Sequence, residues 1–108
     1  MRTIKNLNAI QWKYVYAIVN SPPGNQQGFT QAEARNRDEL FEAVTGPVRS
    51  GKNAYDFNRV DGRDLVLTES AWDELKKAFD LTAYPTMEDR VQCLEIQDLV
   101  KNAKYTED

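Results

Sequence analysis

The stretch Ala54–Thr68, AYDFNRVDGRDLVLT, contains two β-prone runs joined by a strong turn signal. The runs are Ala54–Val60 and Arg63–Thr68, and Asp61-Gly62 lies between them. An Asp-Gly pair favours a two-residue type I′ turn, because both central residues of that turn need positive φ. The stretch therefore predicts a β-hairpin with three cross-strand pairs on one face: Arg59 with Asp64, Phe57 with Val66, and Tyr55 with Thr68.

Two helices are predicted before this hairpin. Each begins with a capping box, in which a polar cap and a residue three positions later satisfy each other's backbone N–H groups. The first covers residues 8–20 and the second covers residues 30–45, where Gly46-Pro47 follows. The capping spacing recurs at Asn36, so the sequence leaves open whether residues 30–45 form one helix or two.

Two further helices are predicted after the hairpin, one beginning at Thr68 and one running from Thr86 to about Lys104. The last helix has two apolar stripes on opposite sides, and Met87, Val91 and Leu94 form the first. The second stripe consists of Ile96, Leu99, Val100 and Ala103. A helix that packs on one core needs one stripe, so we expect the second stripe to contact a partner, such as a second copy of the chain. The alternatives are a kinked helix, a wholly buried helix or a frayed helix end.

The order of these elements resembles that of a winged helix. In particular, Asp64–Leu75, DLVLTESAWDEL, resembles the passage from the wing strand into the following helix in MarR-like regulators. The resemblance implies an α+β fold, a mostly helical winged-helix-like domain over residues 1–84 with one β-hairpin. A C-terminal helix over residues 85–108, for dimer or partner contact, would belong to the same compact unit.

In winged-helix regulators, the helix before the hairpin enters the major groove of DNA and the wing contacts the backbone. The resemblance therefore implies three groups of DNA-binding residues. Base-reading candidates are Arg35, Asn36 and Arg37; phosphate contacts are Arg49 and Lys52; wing contacts are Arg59 and Arg63. The competing interpretation is that these arginines solvate helix ends or pair with neighbouring acids.

The charge of the chain is uneven, although its 108 residues have a net charge of −3. Residues 1–60 contain eight Lys/Arg and five Asp/Glu, whereas residues 61–108 contain six and twelve. A basic face in the first half is compatible with duplex DNA as a partner, since phosphate attraction depends on local charge. The alternative partner is a protein, docked by a non-catalytic inhibitor or adaptor module of bacterial or viral type.

Several function classes are disfavoured by the residues present. The chain has no His and one Cys, so His-based catalysis, a Cys metal cluster and an internal disulfide are not expected. Gly46–Asn53 resembles a Walker A loop, but a helix precedes it, a strand follows it, and Asn53 replaces the Ser/Thr. We therefore expect a non-enzyme with no cofactor or metal. No run approaches the roughly 18 apolar residues of a membrane span, and the expected location is the cytoplasm.

Overall fold

The computed structural model describes residues 1–20, 31–52, 54–81 and 87–105 of the chain, leaving out the side chains of residues 32–34, 36 and 81. These residues form five strands, four α-helices and a 3₁₀ turn. In chain order they are β1 (Arg2–Leu7), α1 (Ala9–Asn20), α2 (Gln31–Val48), β2 (Arg49–Gly51), β3 (Ala54–Tyr55), the 3₁₀ turn Phe57–Val60, β4 (Arg63–Leu67), α3 (Glu69–Leu81), α4 (Met87–Lys101) and β5 (Lys104–Tyr105).

β1 is the central strand of an antiparallel three-stranded sheet with the order β4-β1-β5. Ile4 pairs with Leu65 and Leu7 pairs with Arg63, so β1 advances three residues while β4 advances two. This extra residue is a β-bulge, and Asn6 adopts a positive φ of 57° there. The sequence analysis did not predict β1, because Ile4 and Leu7 are an odd number of residues apart. A regular strand would point them to opposite faces, and the bulge brings both into the core.

The predicted hairpin over Ala54–Thr68 is wrong. β4 pairs with β1, and β3 pairs with β2, so none of the three predicted cross-strand pairs forms. The turn at Asp61-Gly62 has one positive φ rather than two: Asp61 has φ −59° and ψ 120°, and Gly62 has φ +79°. These angles are those of a type II turn. Asp61 Oδ1 accepts a hydrogen bond from Ala9 N at 2.9 Å, which fixes the turn against the start of α1.

The predicted helices form, with changes at their ends. The capping box of α1 is confirmed: Gln11 N donates to Asn8 Oδ1 at 2.8 Å, and Asn8 N donates to Gln11 Oε1 at 2.9 Å. α2 is one helix rather than two and ends at Val48. The helix continues through Pro47 because Gly46, which has no Cβ, avoids the clash between a proline ring and the preceding side chain. The sequence also predicts that Pro22-Pro23-Gly24 ends the first helix. That segment and the predicted caps Thr30 and Thr86 lie outside the described residues.

α3 begins as predicted, and Thr68 Oγ1 accepts a hydrogen bond from Ala71 N at 3.2 Å. α4 ends at Lys101, three residues before the predicted end, because Lys104 and Tyr105 form β5 on the edge of β1. All four helices and the three-stranded sheet contribute to a single hydrophobic core. Its largest fully buried side chains include Trp12, Phe79, Ile4, Leu65, Leu75 and Ile96.

The stripe of α4 expected to bind a partner lies mostly in this core. Ile96, Val100 and Ala103 are at most 6% exposed, and Leu99 alone in that set is exposed, at 41%. The exposed stripe is the other one, Met87, Val91 and Leu94. The sequence showed two stripes but not which one α1 and α3 would cover. In the part of the chain that the structure describes, no helix is long and apolar enough to cross a membrane.

Candidate nucleic-acid interface

The β2–β3 hairpin projects from the end of α2 and carries a group of cations. All five of its strand residues are exposed. Asp56 N donates to Val48 O at 2.7 Å and closes the base of the hairpin. Arg49 lies on β2 and Lys52 lies in the connecting turn, and both are exposed. The hairpin is therefore a short, solvent-exposed element that carries positive charge.

Arg59 joins this group from the 3₁₀ turn. Its Nη1 donates a hydrogen bond of 2.6 Å to the backbone carbonyl of Arg49. This contact holds the guanidinium of Arg59 against the hairpin although ten residues separate the two arginines in sequence. The 3₁₀ turn is itself positioned by Asp56, whose Oδ1 accepts a hydrogen bond from Asn58 N at 3.0 Å. We call Arg49, Lys52 and Arg59 the hairpin cations.

An aromatic cluster packs the hairpin against α1. The ring of Tyr16 on α1 lies 5.3 Å from that of Tyr55 and 5.4 Å from that of Phe57, the latter edge to face. Such geometries are favourable for aromatic pairs. Burial and a hydrogen bond with Tyr55 raise the pKa of Tyr16, while the nearby charge of Arg49 acts in the opposite direction. Tyr55 leaves 41% of its surface exposed beside the hairpin cations.

A cleft of about 350 Å³ lies beside this cluster, between α1 and the 3₁₀ turn. Tyr55, Phe57 and Asn58 line one side, and Ile10 and Lys13 line the other. Lys13 is exposed and adds a fourth cation to the same region. The arrangement combines cations, an accessible aromatic ring and a side-chain amide, which are the groups that contact phosphate, sugar and base in nucleic-acid complexes.

Three carboxylates near this region accept hydrogen bonds from backbone N–H groups. Asp56 caps the 3₁₀ turn, Asp61 accepts from Ala9 N, and Asp64 Oδ1 accepts from Asn6 N at 3.0 Å. These carboxylates fix the turns that position the hairpin and the bulge of β1. Arg63 lies between Asp61 and Asp64 in sequence, at the start of β4 beside Leu7. It lies on the three-stranded sheet and not on the β2–β3 hairpin, so it is not one of the hairpin cations.

Arg37 was predicted to read bases, and the structure places it in the interior. It is 7% exposed, and its Nη1 donates to Val19 O at 3.1 Å. Its Nε lies 3.8 Å from Oε2 of Glu74, which is also buried. A side chain held in this way joins α1, α2 and α3 and is not available to a groove. The burial of Arg37 therefore does not favour it as a residue that contacts bases.

The other two base-reading candidates are also separated from the hairpin. Arg35 is exposed near the start of α2, about 20 Å along the helix axis from Arg49. Asn36 lies on the same helix, and its side chain is outside the described part of the chain. The exposed face of α2 carries three acids, Asp38, Glu39 and Glu42. Of the seven predicted DNA-binding residues, the structure brings together Arg49, Lys52 and Arg59.

The sequence analysis missed Lys13, Tyr16 and Tyr55 as neighbours of the cations. Tyr55 was missed because the predicted hairpin placed it opposite Thr68, whereas in the structure it pairs with Arg49. A usable signal was present in Ser50-Gly51-Lys52-Asn53, a run of turn-forming residues between Arg49 and Ala54. That run predicts a shorter hairpin, one connection earlier in the chain.

Cys93 is 3% exposed on the inner face of α4, and burial raises the pKa of its thiol. A thiol in this environment is a poor nucleophile. Among residues 1–20, 31–52, 54–81 and 87–105, no group of three His, Cys, Asp or Glu side chains could hold a metal ion. Comparisons with protein-family models, with curated proteins and with solved structures found no match.

Proposed function

We propose that this chain is a non-catalytic regulatory protein that binds duplex DNA, with the β2–β3 hairpin on the phosphate backbone. The observation that carries the proposal is that Arg49 and Lys52 are exposed on the β2–β3 hairpin and that Arg59, from the 3₁₀ turn, hydrogen-bonds its backbone. Lys13 adds charge across the adjacent cleft. A local group of cations attracts phosphates even on a chain with a net charge of −3, because screening limits the repulsion from distant acids.

The order of α2 and the hairpin supports an arrangement like that of a winged helix. In that family a wing follows the recognition helix, and here the β2–β3 hairpin follows α2 directly. The sheet differs from the expected one, because its central strand β1 comes before the first helix. In this proposal the β2–β3 hairpin takes the role of the wing, one connection earlier than the sequence indicated.

The exposed face of α2 argues against base reading by this helix. Asp38, Glu39 and Glu42 on its exposed face would meet the phosphates that flank a major groove. Arg37, which the resemblance assigned to the groove, is buried. We therefore propose that the contact is mainly with the backbone, which positions a protein on DNA without specifying a sequence. Tyr55 adds an exposed ring that can pack on a sugar or on an unstacked base.

The test is duplex binding as a function of salt concentration, measured by fluorescence anisotropy. Three neutralised phosphates predict a slope of log K against log salt of about −2.7. Arg49→Ala and Lys52→Ala should each make the slope shallower by about 0.9. Arg59 is less suitable for substitution, because it also hydrogen-bonds the hairpin backbone.

Arg35→Ala is the matched control, since it removes the same charge from an exposed site about 20 Å away. It should leave the slope unchanged. An equal loss in Arg35→Ala and Arg49→Ala would assign the binding to net charge rather than to the hairpin. No duplex binding at low salt would overturn the DNA proposal. Stronger binding to single strands, lost in Tyr55→Ala and kept in Tyr55→Phe, would assign the hairpin to unpaired nucleic acid.

The alternative function is a protein-binding adaptor or inhibitor module. The observation that favours it is the exposed apolar stripe on α4, where Met87 is 70% and Val91 is 53% exposed. Large apolar side chains on adjacent helical turns are typical of helix-docking surfaces. This alternative uses residues other than the hairpin cations, so the salt-dependence experiment separates the two functions.

A further inference from the structure

α4 presents an apolar seam directly opposite its buried face. We define the α4 seam as Met87, Val91 and Leu94, which are 70%, 53% and 44% exposed. At 100° per residue their directions fall within about 60° of one another. The buried residues of the same helix, Cys93, Ile96 and Val100, point the opposite way. The fold of this chain leaves the seam uncovered among the described residues.

The spacing of the seam is that of a coiled-coil interface. Residues 87, 91 and 94 are separated by four and then three positions, which corresponds to positions d, a and d of a heptad. Arg90 then occupies a flanking g position, and Glu88 and Glu95 occupy flanking e positions. All three flanking residues are exposed. The seam therefore has basic and acidic edges on opposite sides.

These edges decide the orientation of a second copy. In a parallel pair, g of one helix lies beside the following e of the other, so Arg90 meets Glu95 of the second copy, twice by symmetry. In an antiparallel pair, edges of the same kind meet, and the Glu88–Glu95 edge faces itself. Like charges in register are destabilising, whereas the parallel pair has opposite charges on both sides.

We propose that the α4 seam is a self-association surface, on which a second copy of this chain docks with its α4 parallel. The seam is short, because Asp98 occupies the next heptad position. Few apolar residues per copy make a small interface, so the dimer is weak and reversible. A parallel dimer carries two β2–β3 hairpins related by a two-fold axis. The proposal does not depend on what those hairpins bind.

The test is sedimentation equilibrium of the full chain over protein concentrations up to about 1 mM. The wild-type chain should dimerise reversibly, and Val91→Glu should be monomeric at every concentration. Ile10→Glu is the matched control: it places the same charge at an apolar site that is 60% exposed on α1, and it should dimerise like the wild type. Circular dichroism checks that each variant is folded, and Leu94→Gln replaces Val91→Glu if the latter is not.

Charge exchange tests the orientation. Arg90→Glu and Glu95→Arg should each raise the dimer dissociation constant, by roughly tenfold if both symmetric contacts reverse sign. The double variant should restore the wild-type constant, because the parallel contacts are re-formed with their charges exchanged. Asp98→Leu should tighten the dimer by extending the seam.

Three results would overturn the proposal. The first is a wild-type chain that stays monomeric up to 1 mM, which would leave another protein as the occupant of the seam. The second is a dimer that Val91→Glu does not weaken, which would place the interface elsewhere. The third is a dimer that Glu95→Arg tightens, because reversing Glu95 would place an arginine opposite Glu88 in an antiparallel pair.

Discussion

Arg37 on α2 and Glu74 on α3 face each other in the interior, with 3.8 Å between Nε and Oε2. The arginine also donates to the carbonyl of Val19 at the end of α1, so one side chain connects three helices. Lys77 Nζ lies 3.8 Å from the other oxygen of Glu74 and brings a second cation to that carboxylate. A buried charge that is paired and hydrogen-bonded in this way holds the relative positions of the helices.

Arg37→Ala should destabilise the fold by about 3–5 kcal/mol, because it leaves the carboxylate of Glu74 without its buried partner. Arg35→Ala, two residues away on the exposed face, should change the free energy of unfolding by less than about 0.5 kcal/mol. Urea unfolding followed by tryptophan fluorescence measures both variants. Equal effects at the two positions would show that Arg37 does not act from the interior.

Tyr14→Phe should change the dependence of stability on alkaline pH. Tyr14 Oη donates to Asp89 Oδ1 at 2.7 Å, and this hydrogen bond, with burial and the charge of Asp89, raises the pKa of Tyr14 to about 12. The unfolded chain has a tyrosine pKa of about 10. The folded state therefore favours the neutral hydroxyl, and this stabilisation is complete below pH 10 and is lost as pH rises through 12.

The advantage of the wild type over Tyr14→Phe should accordingly be constant up to about pH 10 and should shrink between pH 10 and 12. Chemical denaturation at a series of pH values measures it. Tyr105→Phe, which alters a half-exposed ring on β5, is the control. An advantage that grows with pH would contradict the assignment of Tyr14 as the donor.

Gly62→Ala should cost about 1–2 kcal/mol, because a Cβ disfavours the left-handed conformation that Gly62 adopts at φ +79°. Nothing lies within 4 Å of the place a Cβ would occupy, so the cost comes from the backbone and not from a clash. Gly62→Asn should cost less than Gly62→Ala, because asparagine tolerates positive φ. If the two variants are equally stable, the turn has shifted to a conformation that alanine accepts.

Thr45→Val should stabilise the protein by about 1 kcal/mol. Thr45 is fully buried in α2, and its Oγ1 has no hydrogen-bond partner among the described residues. Valine has the same shape and removes a hydroxyl that lost its water on folding. Thr45→Ser is the opposite control, because it keeps the hydroxyl and removes the methyl group, and it should be destabilising. Thermal unfolding of both variants ranks them against the wild type.

The helices could be predicted from sequence because their signals are local. Asn8 with Gln11, and Thr68, act within a single turn of helix, and the structure confirms both caps. The pairing of the strands could not be predicted in this way, because it depends on residues that are far apart in the chain. The Asp-Gly signal correctly marked a turn with positive φ at Gly62, but only the pairing of β4 with β1 determines which residues face each other.

The residues of the candidate site also differ in whether local sequence or a long-range contact determines their position. Arg49 and Lys52 could be identified as a basic turn from sequence, whereas Arg59 reaches them through a contact with a backbone carbonyl. Helical periodicity could have separated Arg37 from Arg35, because Arg37 lies on the same face of α2 as the buried Leu40 and Val44, and Arg35 lies on the opposite face. The partners of Arg37, Val19 and Glu74, are distant in sequence, so only the structure shows what the buried guanidinium contacts.

The central position of β1 has a consequence for how the protein is made. β1 is synthesised before both of the strands it pairs with, since Arg2 pairs with Leu67 on one side and with Tyr105 on the other. At 5–20 residues per second, the ribosome needs roughly 3–13 s to reach β4 and longer to reach β5. During that time Ile4 and Leu7 have no sheet to enter and are available to chaperones. The three-stranded sheet can close only when β5 has left the ribosome, so it is completed after all four helices of the described fold have been synthesised.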